Sequence, residues 1–204
     1  MKLYWSPRSP FVRKVMVCAH ETGLASRIQP VPTLVVMSKP NLDLMRENPL
    51  GKIPTLVTDD GKVLHDSLLI CEYLDSLHNG ARMFPESSDA RWQALSWQAL
   101  GNGMLDALVL WRNETLKPRA QQGPDLLAAF ELKARRAVDA LELEAPRLAA
   151  TPFGIGHIAI GVALGYIDFR FPALEWRRGH SAIAAWYQTF AQRPSAVATA
   201  PAEA

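Results

Sequence analysis

Cysteine is scarce in this sequence: Cys18 and Cys71 are the only two among 204 residues, and no C-x-x-C pair occurs. A disulfide framework or a zinc site is therefore not expected, and both residues read as small core side chains. Net charge is equally slight, since 22 Lys and Arg against 20 Asp and Glu give +2. That balance supplies no electrostatic reason for nucleic acid or an anionic membrane as the main partner. No apolar run approaches the roughly 20 residues needed to span a bilayer. The opening "MKLYWSPRSP" lacks the apolar stretch of a secretory signal, so the expected setting is the cytoplasm. The five histidines are scattered without ligand spacing, and no metal is expected.

What the chain does have is apolar content. Its 49% hydrophobic residues suffice for a substantial core, in one large domain or two small ones. "KLYW" is a β-prone run ended by Ser6-Pro7. From there Phe11, Val12, Val15, Met16 and Ala19 recur at helical spacing, and Thr22-Gly23 closes the stretch. Ser9 falls at the N-cap, with Pro10 at the first helical position. A hydroxyl there competes for the free N–H groups of the helix end. An anion there gains from the same groups and from the helix dipole. Ser9 therefore caps a helix, and two readings stay open: a cap alone, or a cap that also holds something charged.

Next comes "RIQPVPTLVV", a strand whose two prolines mark it as irregular or an edge. Lys39-Pro40 opens an expected short helix, "PNLDLMREN", and Asn48-Pro49 and Gly51 make turns. "TLV" and "KVL" are short strands joined by the "TDDG" hairpin. His65-Asp66-Ser67 opens another helix, where Asp66 and Ser67 read as a capping pair. A helix start with free N–H groups is itself a carboxylate site, so capping and binding coexist there. This order of elements predicts a small α/β unit with a mixed sheet. A cis Ile53-Pro54 bond would leave the N–H and C=O of Ile53 unpaired, but the sequence does not decide the isomer.

The second half has no strand alternation. After the linker around "HNGARMFPESSDAR", two long helical patterns follow, and Pro146 is expected to end or kink the second. "HIAIGVALGYIDFRF" is apolar around most of its surface and reads as the central helix of a bundle. "SAIAAWYQTFAQRPS" closes the bundle, and "AVATAPAEA" reads as a loose tail. The expected division is 1–79 for the α/β domain, 80–88 for the linker and 89–204 for the helical domain.

Three stretches occur together and in order: Ser9-Pro10 with "FVRKV", Asn48-Pro49 with "GKIPTL", and Asp66-Ser67 with "LLICEYL". Over about the first 80 residues they resemble the thioredoxin-like domain of the soluble glutathione transferases, most closely the bacterial serine-type members. "AIGVALGYIDFR" is similar to the core helix of that family's all-α domain. The family usually starts this helix with a Ser or Thr and an Asp three residues on, a reciprocal capping box. Gly154 and His157 stand there instead, and His157 is expected to stay neutral.

The resemblance implies roles. Ser9 would hold the glutathione sulfur as a thiolate, with Ser6 the competing hydroxyl. Ile53 would pair its backbone with the cysteinyl part, and Pro54 would be cis. Asp66 would face the γ-glutamyl ammonium, and Ser67 with its helix start would receive the carboxylate. Lys39, or Lys52 in its place, would meet the glycyl carboxylate. Pro7, Arg8 and Phe11, with Met104, Leu108 and Trp111, would line the pocket for a small hydrophobic electrophile. The last three equally suit bundle core. A homodimer is also implied. Two other functions are weighed: a glutathione-dependent thiol-disulfide reductase, which wants a cysteine where Ser9 stands, and a non-catalytic glutathione-binding module.

Overall fold

The computed structural model describes residues 1–203. The expected first strand is β1 (Lys2–Trp5), followed by α1 (Pro10–Glu21) and β2 (Gln29–Pro32). β1 and β2 are parallel, with Leu3 opposite Pro30, so the three elements make a β-α-β crossover. β3 (Thr55–Val57) runs antiparallel to β1, with Leu3 opposite Leu56, and β4 (Val63–Leu64) closes the hairpin. The sheet order is β2-β1-β3-β4, which puts the two prolines of β2 on an edge, where no ladder donor is missed. Leu3 and Leu56 are fully buried at its centre. α2 (Ser67–Ser76) packs against α1. The contact uses small side chains: Cys18 Sγ lies 3.7 Å from the Cys71 carbonyl, and Cys71 Sγ lies 3.9 Å from the Lys14 carbonyl. This is the expected thioredoxin-like α/β arrangement.

Two local expectations in this unit are corrected. The strand expected through Val36 stops at Pro32, because its partner β1 ends at Trp5 and offers no further ladder. Leu34 and Met37 are left more than half exposed. The helix expected from Pro40 is reduced to a single 3-10 turn at Leu44–Arg46. Asn41 Oδ1 takes the Leu44 N–H at 3.0 Å, which competes with helical pairing. Pro49 then disfavours helix at the residue before it.

The helical unit covers residues 89–193. It holds most of α3 (Ser88–Thr115), then α4 (Pro124–Ala150), α5 (Ile155–Arg170) and α6 (Ser181–Ala191). α5 is buried from Ile155 to Ile167, as expected of a central helix. A Cβ on Gly161 would stand 2.5 Å from the Phe190 ring, so α6 packs where α5 has no side chain. Glu142 of α4 accepts from Ala182 N–H at 3.0 Å and Ile183 N–H at 2.8 Å, capping α6 from outside. Pro146 does not end α4, which continues to Ala150. It stands in the last two turns, where a proline removes one hydrogen bond while the packed face carries the helix.

The tail is also corrected. α7 (Pro194–Ala198) is helical and lies against α1. Residues 194–203 cluster with residues 1–88 and not with the helical unit, so the helical unit is shorter than 89–204. No helix is long and apolar enough to cross a membrane among the described residues.

Candidate active site

The chain leaves β1 through a tight loop. Ser9 N–H donates to the Ser6 carbonyl at 3.2 Å, and Arg8 N–H reaches Ser6 Oγ at 3.4 Å. Ser6 thus uses its hydroxyl to turn the loop. Ser9 is the N-cap of α1: its Oγ accepts from Val12 N–H at 3.3 Å, and its carbonyl accepts from Arg13 N–H at 3.0 Å. Pro10 follows at the first helical position, where its missing N–H loses nothing. Ser9 Oγ acts only as an acceptor among the described residues, so its O–H remains free to donate.

A second loop is set by Asn48, which is 1% exposed. Its Nδ2 donates to the Lys52 carbonyl at 3.1 Å and to Thr55 Oγ1 at 2.9 Å, while its Oδ1 accepts from Leu50 N–H at 3.0 Å. Thr55 Oγ1 donates in turn to the Lys52 carbonyl at 2.8 Å. Gly51 sits at φ +59, the left-handed region that favours glycine. This knot anchors the chain on both sides of Ile53-Pro54, which is cis. Ile53 carries no backbone hydrogen bond to another described residue. In the sequence Asn48 stands as a turn former within the Asn48-Pro49 "GKIPTL" stretch and Thr55 as the start of a short strand; neither announces the knot. The burial of an amide between a loop carbonyl and the first residue of a strand has no local pattern to announce it.

The third part is the start of α2. Asp66 is its N-cap, with Oδ1 accepting from Leu68 N–H at 2.9 Å, and the His65-Asp66 bond is cis. Asp66 is exposed, and Ser67 is 1% exposed. Lys39 and Lys52 are both exposed. Pro7, Arg8 and Phe11 are half-buried around the Ser9 loop. Met104, Leu108 and Trp111 are buried on α3, with the Trp111 ring stacked 4.1 Å from that of Phe171. Ser9, Ile53 and Asp66 thus all lie on loops or helix starts of the first unit, while Met104, Leu108 and Trp111 serve the core of the second.

Two further groups bear on the chemistry. Cys18 and Cys71 are fully buried, and a hydrogen bond to Cys71 together with burial pushes the Cys18 thiol well up. Such a thiol is a poor nucleophile at neutral pH. At the start of α5, His157 Nδ1 accepts the Gly154 N–H at 3.1 Å, which is the returning half of a capping box. The ring proton therefore sits on Nε2, facing the Leu148 carbonyl at 3.1 Å. Burial lowers the His157 pKa, in line with the neutral ring expected there. Among the described residues no group of three or more His, Cys, Asp or Glu is placed to hold a metal ion.

Comparison with known proteins gives a consistent result. Residues 8–77 match the glutathione S-transferase N-terminal domain, and residues 124–189 match the glutathione S-transferase C-terminal domain. The GST-like protein YibF of Escherichia coli is 34% identical over 181 residues, 86% of each chain. A glutathione transferase family member from Pseudomonas fluorescens Pf-5, solved with bound glutathione, is 44% identical, with a TM-score of 0.95 over 99% of each chain. A glutathione S-transferase from Methylobacillus flagellatus, also with bound glutathione, is 33% identical, with a TM-score of 0.88 over 98% of this chain and 99% of the other.

Proposed function

Because this chain belongs to the glutathione S-transferase family, we propose that it binds glutathione, activates its thiol through Ser9 and transfers it to a hydrophobic electrophile. The observation that carries this reading is the Ser9 hydroxyl at the start of α1, its proton uncommitted and its oxygen only 3.3 Å from one N–H. A sulfur brought to that hydroxyl accepts its hydrogen bond and also feels the positive end of α1. Both interactions favour thiolate over thiol, and thiolate is the attacking form.

The other site residues divide the tripeptide. Ile53 offers its free N–H and C=O to the cysteinyl backbone, a geometry that the cis Pro54 accompanies. Asp66 takes the γ-glutamyl ammonium, and Ser67 with the N–H groups of α2 takes the carboxylate. Lys39 is assigned to the glycyl carboxylate, with Lys52 the alternative. The proposed assembly is a homodimer, the commonest closed oligomer, and the proposed setting is the cytoplasm, where the work is removal of reactive electrophiles. Light scattering at micromolar concentration tests the assembly; the mass of one 22.6 kDa chain contradicts it.

Thiol-disulfide reduction is disfavoured by a specific feature: both cysteine thiols are buried, and the Cys18 thiol is held protonated. A binding module without turnover is the remaining competitor. Retention on immobilised glutathione, followed by a conjugation assay with an aromatic halide, separates them. Retention with conjugation supports the transferase, retention alone supports the module, and no retention removes both.

A further inference from the structure

The last described residues turn back onto the first unit. α7 lies against α1 and is clasped at two places. At the C-terminal end of α1, Ser195 Oγ donates to the Glu21 carboxylate. At the end of the first turn of α1, Arg13 Nη2 donates to the Ala196 carbonyl at 3.3 Å. Thr199 Oγ1 donates to the Ser195 carbonyl at 2.8 Å, and Ala202 N–H reaches the Pro7 carbonyl at 3.5 Å. The segment therefore follows α1 from its last residue to the loop that precedes Ser9.

A five-residue helix has no stability of its own, and its late carbonyls have no partner within it. A guanidinium that satisfies one of them is a natural C-terminal cap. Arg13 itself is 9% exposed, in a turn of α1 where the helix dipole gives a cation nothing. Burial of that charge is costly unless it is hydrogen-bonded. It joins two elements: its backbone N–H donates to the Ser9 carbonyl at 3.0 Å, and its side chain holds α7.

We propose that residues 194–203 form a strap that acts through Arg13 to hold the first turn of α1, making Arg13 a positioning residue for the Ser9 hydroxyl. The mechanical part stands by itself; the consequence for the sulfur rests on the function proposed above.

Amide hydrogen exchange, measured by NMR on the free wild type, Arg13→Met, Arg13→Lys and Ser195→Ala, reads the strap directly. Val12 and Arg13 amides, both bonded to Ser9, are expected to exchange about tenfold faster in Arg13→Met, the effect of losing one supporting hydrogen bond. A smaller gain is expected in Ser195→Ala, and Arg13→Lys lies between it and the wild type. The Ile70 amide, bonded to the Asp66 carbonyl in α2, should keep its rate in all of them. With glutathione bound, the thiolate titration of Arg13→Met should move to higher pH and kcat near neutrality should fall, with KM for glutathione unchanged. Arg13→Lys should recover part of both. Unchanged exchange at Val12 and Arg13 overturns the strap. Faster exchange with an unmoved thiolate titration overturns the positioning role. If Arg13→Met does not fold, Ser195→Ala and Arg13→Lys carry the same reading. Absence of glutathione binding by the wild type overturns the proposed function instead, while exchange still decides the strap.

Discussion

At the start of α1 a neutral hydroxyl sits 3.3 Å from the Val12 N–H; at the start of α2 a carboxylate sits 2.9 Å from the Leu68 N–H. The two helix ends have the same backbone chemistry and opposite remaining capacity. The long, neutral cap of α1 brings no charge to the positive helix end, and the Ser9 O–H can still donate. Negative charge is what that end lacks. Asp66 already supplies a charge to α2, and its exposed carboxylate has room for a cation. In the proposed function one end therefore takes a thiolate, and the other takes an α-amino acid group that carries both signs. α5 offers a third arrangement, in which a glycine cap is served by the His157 ring and no anion is called for.

The largest expected effect comes from changing the atom at the first helix start. Ser9→Cys should lose conjugation and gain disulfide reduction, because the new sulfur sits at a helix N-terminus and traps glutathione as a mixed disulfide. An assay with a low-molecular-weight disulfide checks this, and retained conjugation without reductase activity contradicts it.

At the second helix start, Asp66→Ala removes a charged hydrogen bond of about 1.5–3 kcal/mol. Glutathione affinity should fall roughly ten- to hundredfold, measured by calorimetry, with little change in the turnover of the bound complex. A collapsed kcat at unchanged KM would mean that Asp66 acts on the sulfur and that the two ends are not distinct.

The start of α5 sharpens the comparison through pH. Burial lowers the folded-state pKa of His157, so the unfolded chain takes up a proton that the folded chain refuses. Its contribution to stability is full above about pH 6.5 and is lost as the pH falls below that value. His180 has the opposite sign. Burial works to lower its pKa, but Asp139 at 2.9 Å and the Trp176 carbonyl at 2.8 Å raise it overall. Its contribution is full below about pH 6.5 and is lost as the pH rises through the raised value. Urea unfolding from pH 5 to 8 should show the acid-side loss vanish in His157→Asn and the alkaline-side loss vanish in His180→Asn. Either slope surviving its substitution contradicts the assignment.

The smallest effect is on stability alone. Loss of the Ser9 cap in Ser9→Ala should cost about 1 kcal/mol, read by the same unfolding experiment.

Which of these features were legible in the sequence follows from their range. Ser9-Pro10 and Asp66-Ser67 are local signals, because a cap is defined by residues within one turn of itself, and both fall where the sequence puts them. The mixed sheet followed from short β-prone runs and an Asp-Gly hairpin. The cis isomer at Pro54 came only from the family resemblance, since no local pattern selects it. The Asn48 knot was missed because its meaning lies in burial. The tail has the composition of a loose segment, and its partners, Arg13 and Glu21, are 183 and 174 residues away in the chain. Composition cannot report contacts of that range.

The central claim is that Ser9 holds a thiolate and is more than a cap. Its most direct test is an ultraviolet titration of the glutathione complexes of wild type and Ser9→Ala. A free thiol of this kind titrates near 8.5. In the wild type the thiolate band should develop nearer neutrality. In Ser9→Ala it should appear only about one to two units higher, the equivalent of a hydrogen bond to a charged group. Turnover at pH 7 should then fall roughly ten- to hundredfold. Superimposable titration curves would contradict the account, leaving Ser9 a helix cap and Ser6 the next hydroxyl to examine.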